Sequence, residues 1–173
     1  GGHAHAVGFS LPSASLPTLR ARISGHAVSR LTAPILEPPI RYGAELALAD
    51  ITPELFRWLT RLAPFGIGNP EPLFFTRNAT LAAPIRLIKD KHISLQLTQI
   101  LPQTPRQDPQ SPPISALGWS RGPSELSFWP ARCARLGLAQ GSRVDILYRL
   151  KQNTDPRWAT LELELYDLRP AAH

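Results

Sequence analysis

Cysteine is almost absent from this sequence, and methionine is wholly absent. The single cysteine, Cys133, excludes an internal disulfide and a multi-cysteine zinc site, and we expect it to be a small buried apolar side chain. The N-terminal residues lack the basic and apolar segments of a secretory signal. No stretch approaches the roughly 18 uninterrupted apolar residues of a membrane span. These absences predict a cytoplasmic protein with no membrane partner.

The motifs of a hydrolytic active site are also missing. Metal-dependent phosphodiester hydrolysis needs clustered carboxylates and histidines, but the six aspartates stand singly, and none is paired with a histidine at ligand spacing. The sequence has neither a Gly-x-Ser-x-Gly elbow nor a phosphate loop ending in Gly-Lys-Ser/Thr. We therefore expect this chain to contain no complete catalytic centre and to bind no metal or other cofactor by itself.

Negative charge is in short supply relative to positive charge. Nineteen Lys and Arg against 13 Asp and Glu give a formal net charge of +6 and a sequence pI of about 10.2. All the cations are arginine except Lys89, Lys91 and Lys151, and arginine binds phosphate bidentately and stacks on bases. Genomic composition is an equally good explanation for the excess of arginine over lysine. The sign of the charge, however, favours a polyanionic partner.

Two helices are predicted in the first 66 residues. Residues 15–31 carry an apolar stripe at helical spacing, with Ser15 as the candidate cap, and the proline-rich stretch that follows is a plausible boundary. In the second helix Thr52 is the expected N-cap and Pro53 the first helical residue. Its apolar stripe consists of Leu55, Phe56, Leu59 and Leu62.

From Leu73 onward the apolar pattern changes to a period of two. Five segments read as half-buried strands, namely FFTRNATL, HISLQLTQI, PISALGWS, RVDILYRL and TLELELYDL. A helical segment around residues 131–138 falls between the third and the fourth. This order predicts an α+β, mostly β fold whose main part is a five-stranded OB-type Greek-key barrel. Residues 101–113 contain five prolines and are expected to form an extended surface loop or, alternatively, a peptide that a partner binds.

Two stretches resemble a known family. The chain starts Gly-Gly-His-x-x-Ala-x-Gly-Phe, and residues 62–74 read LAPFGIGNPEPLF. Together they closely resemble the C-terminal part of the RecJ exonucleases, single-strand-specific enzymes of the DHH phosphoesterase family. The last two strands fit as well, so the resemblance extends from Gly1 to Pro170. It implies the end of a DHH-associated domain at residues 1–45, a connecting helix and Pro/Gly connector at 46–72, and an OB domain at 73–173.

The resemblance also implies a function. Gly1, Gly2 and His3 would grip a substrate phosphate near the catalytic centre. The metal-binding Asp-His-His segment is not in this sequence, and Val7 replaces a smaller residue of the family pattern. We therefore expect this chain to be the end of a longer enzyme, cut inside a motif. The complete enzyme would use Mn²⁺ or Mg²⁺ to degrade single-stranded DNA from its 5′ end in DNA repair and recombination. This part alone would be inactive, with single-stranded DNA, the missing DHH catalytic domain and DNA-repair proteins as partners.

An OB barrel binds single strands across its second and third strands and the adjoining loops. The candidate DNA-binding residues there are Arg86, Lys89, Lys91, His92, Trp119 and Arg121. Each has a structural alternative, because charges at a turn are often merely solvated and Trp119 is equally suited to a core. Glu162 and Glu164 argue against DNA on the last strand. Trp58, Trp129 and Trp158 are expected to pack internally.

Three functions remain open at this point. The first is the exonuclease fragment just described. The second is a stand-alone OB module that binds single-stranded DNA or a repair partner without any nuclease. The third is an OB barrel that contacts only its own protein.

Overall fold

The structure, a computed structural model, describes residues 2–3, 6–31, 40–100, 112–121, 128–153 and 160–171. The chain divides into two compact units, Gly1–Ile40 and Arg41–His173, which are described separately. The division into segments 1–45, 46–72 and 73–173 stays a prediction.

The first unit contains a small hairpin and one helix. Strands β1 (Gly2–His3) and β2 (Ala6–Val7) pair antiparallel, and a 3₁₀ turn at Ser13–Ser15 leads into α1 (Leu16–Arg30). The helix was predicted, but the Ser15 side chain makes no capping hydrogen bond. No residue of α1 is buried. Within the described residues, no helix has the length and apolarity needed to cross a membrane.

Five strands of the second unit close into a ring. They are β4 (Phe74–Leu81), β6 (His92–Thr98), β7 (Ile114–Gly118), β8 (Arg143–Gln152) and β9 (Leu161–Pro170). Hydrogen bonding runs β4–β8–β9–β7–β6, and β6 then pairs with β4 to close the ring.

The ring has the strand order of an OB barrel. Counted along the chain, its strands follow the order 1-4-5-3-2 and return to 1, with β7 and β9 parallel and the other pairs antiparallel. A helix, which we name α3 (Trp129–Arg135), lies between the third and fourth ring strands in the sequence. The predicted α+β, mostly β fold with a five-stranded OB-type barrel is confirmed.

Alternating side chains from each strand fill the barrel. On β6, Ile93, Leu95 and Leu97 are at most 1% exposed, as a period of two requires. Helix α3 adds Trp129 and Cys133 to the same core, so the expected packing of Trp129 is confirmed. Burial raises the pKa of the Cys133 thiol to about 11, which keeps it protonated and unreactive at neutral pH.

Shorter elements surround the ring. Strand β3 (Ala44–Glu45) pairs parallel with β4, and β5 (Arg86–Ile88) pairs with β6. The second helix, α2 (Pro53–Thr60), follows a 3₁₀ turn at Leu48–Asp50. The backbone N–H of Leu55 donates to Thr52 Oγ1 over 3.2 Å, so the predicted N-cap is present.

Helix α2 packs on the barrel core through one face only. Leu55, Phe56 and Leu59 of the predicted stripe lie against the core. The packing expected of Trp58 is wrong, since its side chain is 57% exposed and lies under the guanidinium of Arg61 at 4.4 Å. With about 3.6 residues per turn, position 58 falls outside the arc of α2 that Leu55, Leu59 and Phe56 cover. Trp158 lies outside the described residues.

The connector after α2 is held by one asparagine. Asn69 Nδ2 donates to the carbonyl of Leu62 over 2.7 Å and to that of Pro64 over 3.0 Å. The backbones of Gly66 and Asn69 also exchange two hydrogen bonds. Because prolines cannot donate backbone hydrogen bonds, the Asn69 side chain supplies two donors in addition to the backbone pair that closes this loop.

Candidate nucleic-acid interface

A cationic turn joins β5 to β6. The two strands pair with Arg86 opposite Ser94 and Ile88 opposite His92, which leaves Lys89, Asp90 and Lys91 in the turn. Lys89 and Asp90 have φ of 51° and 54°, the left-handed geometry that matches the twist of a hairpin. All three turn side chains are exposed. The turn therefore presents two ammonium groups and one carboxylate immediately before His92.

His92 and Trp119 form an aromatic pair beside this turn. Strands β6 and β7 pair with Ile93 opposite Gly118. His92, which precedes Ile93, and Trp119, which follows Gly118, therefore become neighbours. Their ring centroids lie 4.8 Å apart with an interplanar angle of 69°. His92 is half-buried, whereas Trp119 is 43% exposed. Trp119 is thus a surface residue with a ring accessible for stacking, not a core residue.

Ser120 links this pair to α3. Its backbone N–H donates to His92 Nδ1 over 3.0 Å, and its Oγ accepts from the backbone N–H of Trp129 over 2.9 Å. The residue two positions before it, Gly118, must be glycine, because a Cβ there would lie 2.7 Å from Ile93 Cγ1. Gly118 and Ser120 are therefore held between β6 and α3, while the Trp119 side chain faces the surface.

The remaining predicted cations flank the pair. Arg86 is exposed at the start of β5, and Arg121 is exposed two residues after Trp119. Within the described part of the chain, Arg86, Lys89, Lys91 and Arg121 make no ion pair with a carboxylate. The structure thus brings Lys89, Lys91, His92 and Trp119 together, with Arg86 and Arg121 on the elements that lead to them.

Five cations in the described part of the second unit are paired with carboxylates. Salt bridges join Arg77 to Glu45, Arg132 to Asp167, Arg149 and Lys151 to Glu71, and Arg169 to Asp145. The side-chain hydrogen bond and the charge of Glu45 raise the pKa of Arg77. Arg86, Lys89, Lys91 and Arg121 differ from these five cations, because they have no carboxylate partner in the described part of the chain.

The two glutamates on β9 belong to that paired surface. Lys151 Nζ lies 3.8 Å from Glu164 and 2.7 Å from Glu71. Glu162 accepts a hydrogen bond from Asn153 Nδ2 over 2.9 Å. This face carries both signs of charge in close contact, which makes it a poor surface for a polyanion.

Sequence patterning missed Asp145. Its position on β8 predicted an outward side chain, yet it is 4% exposed. Its Oδ1 accepts from the backbone N–H of Asn78 over 3.1 Å, and its Oδ2 accepts from Arg169 Nε over 3.1 Å. Asn78 lies in a bulge of β4 with φ of 53°, and a bulge leaves an unpaired amide that this carboxylate satisfies. Asp145 is accordingly a structural residue.

The Gly-Gly-His residues lie in the first unit. Gly1 is outside the described residues, Gly2 pairs through its backbone with Val7, and His3 is exposed on β1. Their role in gripping a phosphate stays a prediction. No group of three or more His, Cys, Asp or Glu side chains in the described ranges could hold a metal ion. The described residues therefore do not fit the Mn²⁺ or Mg²⁺ of a nuclease centre, and no catalytic step is assigned to them.

The chain is similar to a known protein family and to two known exonucleases. Residues 42–167 match the family model described as the RecJ OB domain. The chain is 37% identical over 103 residues to the single-stranded-DNA-specific exonuclease RecJ of Thermus thermophilus, covering 56% of this chain and 14% of that protein. It is 26% identical over 183 residues to the RecJ exonuclease of Bacillus subtilis, covering 98% of this chain and 20% of that protein.

A solved structure extends the similarity over the whole chain. The crystal structure of Thermus thermophilus RecJ in complex with Mn²⁺ superposes with a TM-score of 0.58 at 26% identity, covering 100% of this chain and 22% of that one. The same enzyme in complex with Mg²⁺ gives the same TM-score and covers 23% of that chain. The chain thus spans about a fifth or less of the length of the curated relatives that it matches.

Proposed function

Because the chain belongs to the RecJ OB domain family, we propose that it is the substrate-binding C-terminal portion of a RecJ-like 5′-to-3′ single-stranded-DNA exonuclease that acts in DNA repair and recombination. In this proposal, hydrolysis belongs to a DHH catalytic domain elsewhere in the enzyme, which holds the Mn²⁺ or Mg²⁺. Residues 1–45 are the end of the DHH-associated domain, where Gly1, Gly2 and His3 bind a substrate phosphate. Residues 46–72 connect them to the OB domain.

One observation carries this proposal. Four cations without a carboxylate partner in the described residues lie in the β5–β6 turn, on β5 and after β7, near the contact between half-buried His92 and exposed Trp119 on the face where OB barrels bind single strands. Proteins that bind single strands combine cations along the backbone with aromatic rings on which bases stack. The barrel supplies both at the β5–β6 turn and after β7.

Each residue has a defined part in the proposal. Trp119 stacks on a base, since its ring is 43% exposed. Lys89 and Lys91 contact phosphates from the turn, where a flexible ammonium acts as a point charge. Arg86 and Arg121 extend the cationic track on either side. His92 supports Trp119 through the edge contact of their rings.

Replacing Trp119 by alanine tests the proposal. We expect Trp119→Ala to weaken binding of a labelled single-stranded oligonucleotide by roughly 5- to 150-fold, since stacking of a base contributes about 1–3 kcal/mol. Tyr166→Ala is the matched control, because Tyr166 is 45% exposed and lies on β9. Fluorescence anisotropy at low salt measures both variants. Equal affinity of Trp119→Ala and the unsubstituted chain would contradict the proposal.

The nuclease assignment has its own test. The purified chain should not degrade single-stranded DNA when Mn²⁺ is added, because its described residues contain no metal-binding cluster. Reading the coding frame upstream of Gly1 then separates the two classes of function. An Asp-His-His segment supports the exonuclease, whereas a start codon at that point supports a stand-alone OB module that binds single-stranded DNA.

A further inference from the structure

The hydrogen bond between Ser120 and His92 determines where the imidazole carries its proton. The Ser120 backbone N–H donates to His92 Nδ1 over 3.0 Å, so Nδ1 must be an acceptor. An imidazolium has N–H groups on both nitrogens and could not accept this bond. The hydrogen-bond network therefore assigns His92 as a neutral ring with its hydrogen on Nε2.

The donor of this bond is itself held in place. Ser120 Oγ accepts from the backbone N–H of Trp129, the first residue of α3, over 2.9 Å. Gly118, two residues earlier, fits against Ile93 and Trp129 so closely that no Cβ could be added. The amide that faces His92 is thus fixed by the barrel core, and it selects the tautomer before any ligand arrives.

The residues next to His92 are suited to an anion. Nε2 of His92 has no hydrogen-bond partner among the described residues. Lys89 and Lys91 lie in the turn immediately before His92, with Asp90 as the single carboxylate between them. Trp119 contacts the imidazole at 4.8 Å between ring centroids. The local charge is positive, and the imidazole adds a directional donor to it.

We propose that His92 donates a hydrogen bond from Nε2 to a phosphodiester oxygen of the bound strand as an uncharged group, and that Ser120 is the positioning residue that fixes its tautomer. This inference rests on the proposed function, because the ligand is the single strand that the same surface binds. It follows that the lysines and His92 contribute to affinity in different ways. Lysines bind phosphate with release of counterions and therefore depend on salt, whereas a neutral donor contributes to affinity at every salt concentration.

The tautomer can be measured without any ligand. Long-range ¹H–¹⁵N correlation spectra of the full chain should show His92 Nδ1 without a proton and Nε2 with one. His26, exposed on α1, is the internal reference. Ser120→Ala keeps the amide and should leave the tautomer unchanged, whereas Ser120→Pro removes the amide and should abolish the preference. A mixture of tautomers or an Nδ1–H form in the unsubstituted chain overturns the inference and leaves the proposed function intact.

The ligand contact is tested by a salt series with a labelled single-stranded oligonucleotide. His92→Phe keeps a ring beside Trp119 but has no donor, so it should weaken binding by roughly 10- to 100-fold, with an unchanged slope of log K against log salt. His92→Gln retains an N–H donor and should recover part of the loss. A slope reduced by about 0.7 would show that His92 binds as a cation and would overturn the inference.

Two further outcomes separate this inference from the function on which it rests. If His92→Phe binds like the unsubstituted chain while Trp119→Ala is weakened, the proposed function stands and the inference fails. If the unsubstituted chain binds no oligonucleotide in dilute buffer, both fail.

Discussion

The hydroxyl of Thr76 lies 2.9 Å from the hydroxyl of Tyr148 inside the barrel, and both side chains are fully buried. Thr76 Oγ1 also donates to the carbonyl of Leu46 over 2.8 Å. A threonine hydroxyl has a single hydrogen, so Tyr148 must be the donor in the first bond. The chain of donors from Tyr148 through Thr76 to Leu46 ties β8 and β4 to the segment that follows β3.

Removing the Tyr148 hydroxyl and removing the Thr76 hydroxyl should lower the free energy of unfolding by different amounts. Tyr148→Phe leaves Thr76 bonded to Leu46, so we expect a loss of about 1 kcal/mol in the free energy of unfolding. Thr76→Val leaves the buried Tyr148 hydroxyl without a partner and should cost more, up to about 3 kcal/mol. Urea denaturation of the full chain measures both. A smaller loss for Thr76→Val than for Tyr148→Phe would contradict this order of donors.

Two buried groups should make the barrel sensitive to alkali. Burial raises the pKa of Tyr148 from 10.0 to about 12, with the Thr76 hydrogen bond acting in the opposite direction. Burial likewise raises the pKa of Cys133 from 9.0 to about 11. Both groups hold their protons more tightly in the folded state than in the unfolded state. The stability that results is therefore fully present below the unfolded pKa values, and it is lost as pH rises through the folded pKa values.

The expected profile is a fall in unfolding free energy between pH 9 and 12, of about 3 kcal/mol for each group at most. Tyr148→Phe should flatten the part above pH 10, and Cys133→Ala the part between pH 9 and 11. Urea titrations at a series of pH values measure these slopes. A Tyr148→Phe profile parallel to that of the unsubstituted chain above pH 10 would rule out this role for the phenol.

Gly118 should not tolerate even one added methyl group. A Cβ there would lie 2.7 Å from Ile93 Cγ1 and 2.9 Å from the Trp129 ring. Overpacking of this kind costs about 1–3 kcal/mol, so Gly118→Ala should lower the unfolding midpoint in urea. Gly25→Ala is the control, because nothing lies within 4 Å of its added Cβ. If the two variants unfold at the same denaturant concentration, the packing described between β6 and α3 is wrong.

The barrel could be predicted from the sequence because its strands obey simple alternation. Ile93, Leu95 and Leu97 occupy every second position and are all buried. Alternation fails on β8, where Asp145 and Leu147 are buried as well. For Asp145 the cause is a bulge in the neighbouring strand β4, whose Asn78 amide needs a carboxylate, and Leu147 lies where the register between β8 and β9 shifts. A single strand's pattern carries no information about an irregularity in its partner.

The candidate site could be predicted only in part for a similar reason. Lys89, Lys91 and His92 are close because they are close in sequence. The contact of His92 with Trp119 depends on the register of β6 against β7, which are separated by the long proline-rich stretch. The hydrogen bond from the Ser120 backbone N–H could not be predicted, because every residue except proline has this donor and the residue type does not reveal where it points. The exposure of Trp58 was not predicted, because an aromatic ring can pack in a core or lie at the surface under a cation such as Arg61.

The central claim is that the cationic turn between β5 and β6 binds the phosphates of a single strand, and salt dependence of binding tests it most directly. Two double variants remove the same charge, namely Lys89→Gln with Lys91→Gln, and the control Arg57→Gln on α2 with Arg61→Gln at its C-cap, where both arginines are exposed. Affinity for a single-stranded oligonucleotide is measured across a salt series. The lysine variant should reduce the slope of log K against log salt by about 1.4, while the arginine control leaves it unchanged. Equal slopes for the two variants would contradict the claim.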